Sequence, residues 1–247
     1  MRAHDAVPAA VVERWRCQTV THATGAEFPA HYHEVEEWLK VEGGRISFTD
    51  VTSNETYAVD EGQCLEIPAG SVHRVRVDRD VAYEMWTPPE SEPPFQRVLS
   101  ALPCLPGVTE KVLADLVFSN FEVPRLENRI TEGQEEARAA LLALLHPLLQ
   151  FRQGNGAFVG RERYQSAPSG QRSDALSAKS TMWRERSSGF AVLHLTPIGA
   201  LVSIDVHTVD TATSPPVRKR FRNLRGFALE QGRWQCRVWM NYPIESA

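Results

Sequence analysis

Three potential metal ligands lie in one short segment near the N-terminus, namely His31, His33 and Glu37, and all three occupy odd-numbered positions. Successive side chains of a β-strand point to opposite faces, so residues of the same parity share a face if the segment is extended. Two imidazoles and a carboxylate on the inner wall of a small barrel would then converge. This pattern predicts β-structure with a metal-binding interior.

A further ligand candidate, His73, follows the turn sequence Pro68-Ala69-Gly70. Such a turn can return a neighbouring strand, so that a third imidazole meets the others, and glycine tolerates the positive φ that turns often need. Glycines stand at four predicted chain reversals, which are Gly25, Gly44, Gly62 and Gly70. Residues 10–87 alternate polar and apolar side chains in short runs, which is typical of an all-β barrel or sandwich.

The spacing of these residues resembles the two signature motifs of the cupin superfamily, whose members are small β-barrels of the jelly-roll type. The first motif is a glycine, five residues, His-x-His, three residues, a glutamate, six residues and a glycine, here Gly25 to Gly44. The second is a glycine, five residues, Pro-x-Gly, two residues and a histidine, here Gly62 to His73. All nine defining positions are filled, whereas the asparagine that many members carry four residues later is Val77 here.

The resemblance implies a divalent metal held by four ligands, His31, His33, Glu37 and His73. Three imidazoles and one carboxylate suit Fe(II), Mn(II), Ni(II), Cu(II) or Zn(II), and Fe(II) is our first expectation. Four protein ligands leave room on the ion for substrate or dioxygen. Glu37 is predicted to act as the catalytic base because it is the sole carboxylate of the set. The alternative is a barrel that keeps the motif but has lost its metal.

The predicted function is that of a metal-dependent cupin enzyme acting on a small organic molecule, with an Fe(II)-type dioxygenase as the leading hypothesis. Two alternatives stay open: a non-redox cyclase or isomerase of a polyketide-like or sugar-like substrate, and a non-catalytic sensor of a metal or small ligand. Residues on predicted strands around the site are candidates for its wall: Tyr32, Trp38, Arg45, Tyr83, Met85 and Trp86. The isolated histidines are expected not to be ligands: His4, His22, His146, His194 and His207.

The chain changes its character after the barrel segment. Residues 88–130 begin with a proline-dense stretch, which is predicted to lack regular structure and to serve as a linker, and continue with a helix over 108–121. Thr131 and Gln134 are interpreted as a capping box that opens an apolar helix, kinked or ended at Pro147. Later strand-like runs, separated by reversals at 197–199 and 230–232, predict an antiparallel meander.

This second part resembles the cone-shaped α+β fold that is shared by nuclear transport factor two and the small polyketide cyclase-like proteins. The resemblance is carried by three short phrases, which are Val159-Gly160-Arg161-Glu162, Phe221-Arg222-Asn223 and Trp234-Gln235-Cys236-Arg237. It implies a pocket between a curved sheet and helices, with five candidate lining residues, His194, Asp205, His207, Arg237 and Trp239. We therefore predict a mainly β plus α+β chain: a cupin barrel over 1–87, a linker with a helix over 88–130, and a cone domain over 131–247.

Charge and composition argue against several classes of partner. The formal net charge of −4 gives no general attraction to nucleic acid, and the basic run 218–222 is interpreted as a solvated strand face. No run approaches the roughly 18 apolar residues of a membrane helix. The four cysteines form no Cys-x-x-Cys pair, which favours a reducing cytoplasm. We expect a cytoplasmic, bacterial homodimer that binds a small-molecule substrate.

Overall fold

A computed structural model of the chain describes residues 1–89, 96–103, 105–165, 182–212 and 214–244. The chain forms two compact units. The first unit comprises Met1–Leu102 and Thr109–Phe118, and the second comprises Pro103–Val108 and Ser119–Ala247. None of the described helices is long and apolar enough to span a membrane.

The first unit is built on one curled half-barrel sheet, whose described strands are all paired antiparallel. They are β1 (Arg2–His4), β2 (Arg16–His22), β3 (Glu27–His33), β4 (Glu37–Asp50), β5 (Thr56–Asp60), β6 (Cys64–Ile67), β7 (His73–Thr87) and β8 (Gln96–Val98). The strand order is β1-β6-β4-β7-β3-β8, with β2 added to β7 and β5 added to β4. Outside the sheet, the first unit contains helix α1 (Ala9–Arg14), a 3₁₀ turn at Leu99–Ala101 and the first part of a long helix.

The long strand β4 keeps one side toward the core by means of an irregularity at Gly43-Gly44. Leu39 and Val41 are buried before it and Ile46 and Phe48 after it, so the parity of the core-facing residues changes within one strand. The pairing register with β7 shifts at the same place, as expected for a bulge, which alters which residues face each side. The expectation that Gly44 marks a chain reversal is therefore wrong, because β4 runs straight through it.

The second unit contains most of a long helix and a six-stranded sheet. Helix α2 (Glu110–Thr131) begins in the first unit and continues into the second, where α3 (Glu136–Leu144) follows. The strands are β9 (Leu145–Arg152), β10 (Phe158–Val159), β11 (Met182–Thr196), β12 (Gly199–Asp210), β13 (Val217–Glu230) and β14 (Arg233–Ile244). Their order is β10-β9-β14-β13-β12-β11, so the predicted antiparallel meander of the last four strands is confirmed. The cone fold itself stays a prediction.

The capping box predicted at Thr131 and Gln134 is wrong, whereas the apolar helix expected after it forms as α3 and ends at Leu144, before Pro147. Thr131 is the last residue of α2, and its hydroxyl donates to the Glu127 carbonyl one turn back instead of capping a new helix. Leu145–Arg152 is strand β9, which pairs in parallel with β14. Pro147 lies where that pairing is irregular, between the matched residues Leu145 and Gln150, which is where a residue without an N–H is tolerated.

The proline-dense linker is also more regular than predicted. Strand β8 forms at Gln96–Val98 and pairs with His31–His33 of β3. These three residues lie between the prolines of the segment, and each of them has a backbone N–H that a sheet edge can use.

A substitution at Gly44 tests how much the first unit depends on the bulge of β4. Gly44 has φ +90°, and a Cβ there would lie 1.9 Å from the Asp80 carbonyl oxygen of β7. We expect Gly44→Ala to lower the free energy of unfolding in urea by about 3 kcal/mol or more, because both strain and a backbone clash are introduced.

Gly62→Ala is the matched control for this prediction. Gly62 has φ +82°, but no atom lies within 4 Å of the added Cβ. Only the cost of the left-handed conformation remains, which is about 1 to 2 kcal/mol. Equal losses in the two variants would contradict the role given to the close approach of β4 and β7.

Candidate metal centre

The candidate ligands lie at the ends of three strands, which bring the ligand nitrogens of the three histidines together, whereas Glu37 contacts His33 and is not part of that group. His31 and His33 lie at the end of β3, Glu37 is the first residue of β4, and His73 is the first residue of β7. His31 is the register partner of His73, which places these two imidazoles side by side. The assumption of one extended segment from His31 to Glu37 is wrong, because β3 ends before β4 begins. Glu37 reaches the site from a second strand.

The Pro-x-Gly sequence positions two histidines at once. The Ser71 N–H donates to the Pro68 carbonyl at 3.1 Å, and Gly70 has φ +76°, as the third residue of a type II turn requires. The Gly70 N–H donates to the His33 carbonyl at 2.8 Å. The turn therefore attaches to β3 beside His33 and delivers His73 as the start of β7.

The three imidazoles form a compact, buried cluster. One ligand nitrogen of each of His31, His33 and His73 lies within 4.8 Å of those of the other two. The ring centroids of His31 and His73 are 4.4 Å apart, and His31 and His73 are only 4% and 1% exposed. Nitrogens bound to one ion at about 2.1 Å are separated by at most about 4.2 Å, so small side-chain movements would let one ion reach all three.

Two of the imidazoles are held in a defined tautomer by backbone carbonyls. His31 Nδ1 lies 2.7 Å from the Pro29 oxygen, and His73 Nδ1 lies 2.9 Å from the Ser71 oxygen. A carbonyl oxygen only accepts, so Nδ1 carries the proton and Nε2 keeps its lone pair. Metal-binding histidines are commonly oriented in this way, by an oxygen that accepts a hydrogen bond from the ring nitrogen that does not bind the metal. In each case the carbonyl belongs to the residue two positions before the histidine.

Burial keeps these imidazoles neutral. Loss of hydration lowers the pKa of His31 to about 4, against the opposing effect of its hydrogen bond to the Pro29 carbonyl. Burial, followed by the neighbouring His31 and His33, also moves the pKa of His73 well below its ordinary value. Neutral imidazole is the form that binds a metal, so both residues are ready for that role near neutral pH.

Glu37 and His33 meet in an arrangement that is not a hydrogen bond. Glu37 Oε1 lies 2.7 Å from His33 Nδ1, yet neither buried atom has a hydrogen-bond partner. Two donors bound to one ion at about 2.1 Å and at right angles would lie about 3 Å apart, close to this separation. The orphaned atoms and the three-imidazole cluster therefore fit a divalent transition metal.

The predicted wall residues separate into several groups. Tyr83 is the one most closely linked to the site, because burial and then the Glu37 charge raise the pKa of its phenol to about 12. Its hydroxyl lies 3.4 Å from His22 Nε2. Trp38 and Trp86 pack instead with Val11 in a separate apolar cluster.

The remaining candidates for the wall are placed differently. Arg45 pairs with Asp60 at 3.3 Å on a half-exposed surface, and Tyr32 is 1% exposed. Met85 pairs through its backbone with β2 and β4. Phe48 was not predicted, yet its ring centroid lies 5.8 Å from that of His73. Its core position could have been inferred only if the bulge of β4 had been recognised.

Of the five predicted pocket residues of the second unit, Trp239 lines the cavity between Glu127 of α2 and the sheet. Asp205 is occupied by a bidentate contact from Arg222, at 2.9 and 3.0 Å, and by Arg220. His207 Nε2 lies 3.1 Å from the Ser188 hydroxyl. His194 and Arg237 are exposed. The expectation that these four residues line the same cavity is wrong.

Residues 18–86 match the family model described as "Cupin domain". Similar solved structures include a cupin-2 domain protein from Shewanella frigidimarina, with 19% identity over 30% of this chain and 70% of that one and a TM-score of 0.27. A DMSP lyase structure gives 20% identity over 34% of this chain and 43% of that one, with a TM-score of 0.31. Salicylate 1,2-dioxygenase from Pseudoaminobacter salicylatoxidans gives 13% identity over 30% and 20% of the two chains, with a TM-score of 0.28.

No curated protein matches the sequence of this chain. The family match covers the strands that carry all four candidate ligands, together with both glycine-containing motifs. The similarity to the cupin family is therefore confined to residues 18–86, the part of the chain that carries the candidate ligands.

Proposed function

We propose that His31, His33, Glu37 and His73 hold a divalent transition metal and that the protein is a metal-dependent enzyme acting on a small organic molecule. One observation carries the proposal. Two buried imidazoles with free Nε2 atoms face a third imidazole, and beside it lies a buried carboxylate with an unpartnered oxygen. A site of this composition without an ion would leave buried polar atoms unsatisfied, which is costly.

The donor set favours Fe(II), with Mn(II), Ni(II), Cu(II) and Zn(II) as competitors. Imidazole binds all of these ions, and a single carboxylate suits the harder ones among them. When bound, the ion would supply Lewis acidity and, as Fe(II), a route for electrons to dioxygen. We therefore propose oxygenation of the substrate as the reaction, with a non-redox isomerisation or cyclisation as the alternative that the experiment below separates.

The chain's own residues have distinct tasks in this proposal. The Pro29 and Ser71 carbonyls keep His31 and His73 oriented with Nε2 toward the centre. Glu37 can accept a proton from the substrate at a carboxylate oxygen, since it is buried and lacks a donor at Oε1. Tyr83 stays protonated at neutral pH, because burial and then the Glu37 charge raise the pKa of its phenol to about 12. Phe48 and the apolar core around it limit access of water.

Metal analysis of untagged protein tests the ligand set. We expect close to one equivalent of transition metal per chain, and His31→Ala or His73→Ala should weaken metal affinity at least 100-fold, because each removes a ligand whose orientation is prepared. The exposed His194 provides the matched control, since His194→Ala should bind metal as the wild type does. Full metal content in the double variant His31→Ala/His73→Ala would overturn the assignment.

Oxygen uptake by the iron-loaded protein tests the reaction. With a panel of small molecules that offer two chelating oxygens, we expect oxygen consumption matched to loss of substrate. Glu37→Gln should retain some iron but reduce turnover at least 100-fold, since the amide cannot accept a proton. Turnover at an equal rate without oxygen, with Zn or Ni in place of iron, would establish the non-redox alternative. Ligand-induced stabilisation without turnover under either condition would indicate a sensor.

A further inference from the structure

The second unit contains a cavity of about 280 Å³ that is lined by charged, aromatic and amide side chains. Its walls come from α2, β9, β11, β12, β13 and β14, with the 3₁₀ turn Arg161–Tyr164 and the loop residues 153–155. The volume lies just below the range of about 300 to 1,000 Å³ that is usual for drug-sized ligands. A molecule with a single ring therefore fits it better than a larger one.

The charged residues of the lining have an excess of positive charge. They are Arg163, Arg184 and Arg225 against Glu127. Arg184 is paired with Glu127, at 3.1 Å between Nη2 and Oε1. Within the described part of the chain, no carboxylate lies within 4.0 Å of the guanidinium of Arg163 or Arg225. The cavity therefore favours an anion.

Arg225 is completely buried, and its hydrogen bonds leave part of its guanidinium unused. Nη1 donates to the Asn120 carbonyl at 2.8 Å and to Asn120 Oδ1 at 3.3 Å, and Nη2 donates to Asn223 Oδ1 at 3.1 Å. Nε has no hydrogen-bond partner. Since guanidinium has five N–H donors, the Nε–H and one Nη2–H remain available on neighbouring nitrogens.

A buried cation without a carboxylate is costly, and removing an ionic partner from such a group leaves an uncompensated charge. Carboxylate is the anion whose two oxygens match two N–H groups of a guanidinium in a planar, bidentate contact. The amide oxygens around Arg225 hold the group in place but do not neutralise it. The missing negative charge is thus one that a bound molecule can bring.

Trp239 belongs to a group of aromatic side chains in the lining of the same cavity. The guanidinium carbon of Arg225 lies 4.6 Å from the centre of the Trp239 ring, and the indole N–H donates to Asn223 Oδ1 and Asn241 Oδ1, both at 2.7 Å. Phe151 packs on Trp239 with ring centroids 4.6 Å apart. Phe151 lines the cavity as well, and aromatic side chains next to a cation suit a planar ring that carries a carboxylate.

We propose that this cavity binds a small single-ring carboxylate, with its carboxylate on Arg225 and its ring against the aromatic side chains of the lining. The site lies in the second unit and uses none of the candidate metal ligands, so it does not depend on the proposed metal chemistry.

Benzoate is the probe for the experiment, and benzamide is its neutral partner of the same shape. Titration calorimetry is carried out on the full-length protein after chelation, so that the carboxylate cannot bind a metal ion, and is then repeated with Fe(II). We expect one benzoate site in both states and at least tenfold weaker binding of benzamide. Failure of benzoate to bind the wild-type protein, or equal binding of the two probes, would overturn the proposal.

Three variants locate the site. Arg225→Met should weaken benzoate binding at least tenfold, and Arg225→Lys should bind with intermediate affinity because it keeps the charge but loses the fork. Val206→Phe leaves all the arginines in place and fills the cavity, so it should abolish binding. The matched control is Arg237→Met, which removes an exposed guanidinium of β14 outside the lining and should bind as the wild type does.

Folding of each variant is checked by circular dichroism and by its thermal transition. Unchanged benzoate binding in a folded Val206→Phe protein would place the ligand elsewhere and refute the cavity as its site. If Arg225→Met does not fold, the comparison of benzoate with benzamide and the cavity-filling variant still decide the question. Loss of metal in His31→Ala/His73→Ala with retained benzoate binding would show that the two sites are separate.

Discussion

The candidate centre depends on the burial of His31 and His73 with their Nδ1–H groups bonded to backbone carbonyls. Each carbonyl comes from the residue two positions earlier, so a single local geometry is used at the end of β3 and at the start of β7. Burial makes the neutral imidazole the stable form, and the carbonyl decides which nitrogen stays free. The register match of His31 with His73 then turns two local arrangements into one site.

The remaining parts of the first unit serve that pairing. The turn at Pro68-Ala69-Gly70 bonds to the backbone of His33, which ties the third imidazole to the start of β7. The bulge at Gly43-Gly44 lets β4 turn Leu39 and Phe48, residues of opposite parity, toward the same core. Glu37 begins the same strand, so a change in the path of β4 would displace both its core residues and the Glu37 carboxylate.

The candidate sites of the two units suit ligands of opposite charge, a cation in the first unit and an anion in the second. In the first unit, burial keeps the imidazoles of His31 and His73 neutral and able to bind a cation, and the carboxylate of the candidate set lies against His33. In the second unit, the buried guanidinium of Arg225 contacts amide oxygens and the Trp239 ring, and none of the described carboxylates lies within 4.0 Å of it. Both arrangements leave polar atoms without partners inside the protein, and such atoms are uncommon in native structures unless a ligand completes them.

The sequence by itself determined the β-rich first domain, the proximity of His31, His33 and His73, and the meander of the last strands, because these follow from local spacing, alternation and turn residues. It did not determine that Glu37 begins a new strand, that Gly44 lies within one, or that residues 145–152 leave the helix for a parallel pairing with β14. Those outcomes depend on partners distant in the chain. The cavity around Arg225 also depends on distant partners, because Asn120, Asn223 and Trp239 are brought together only by packing. No local sequence pattern predicts a buried cation whose neighbours come from α2, β13 and β14.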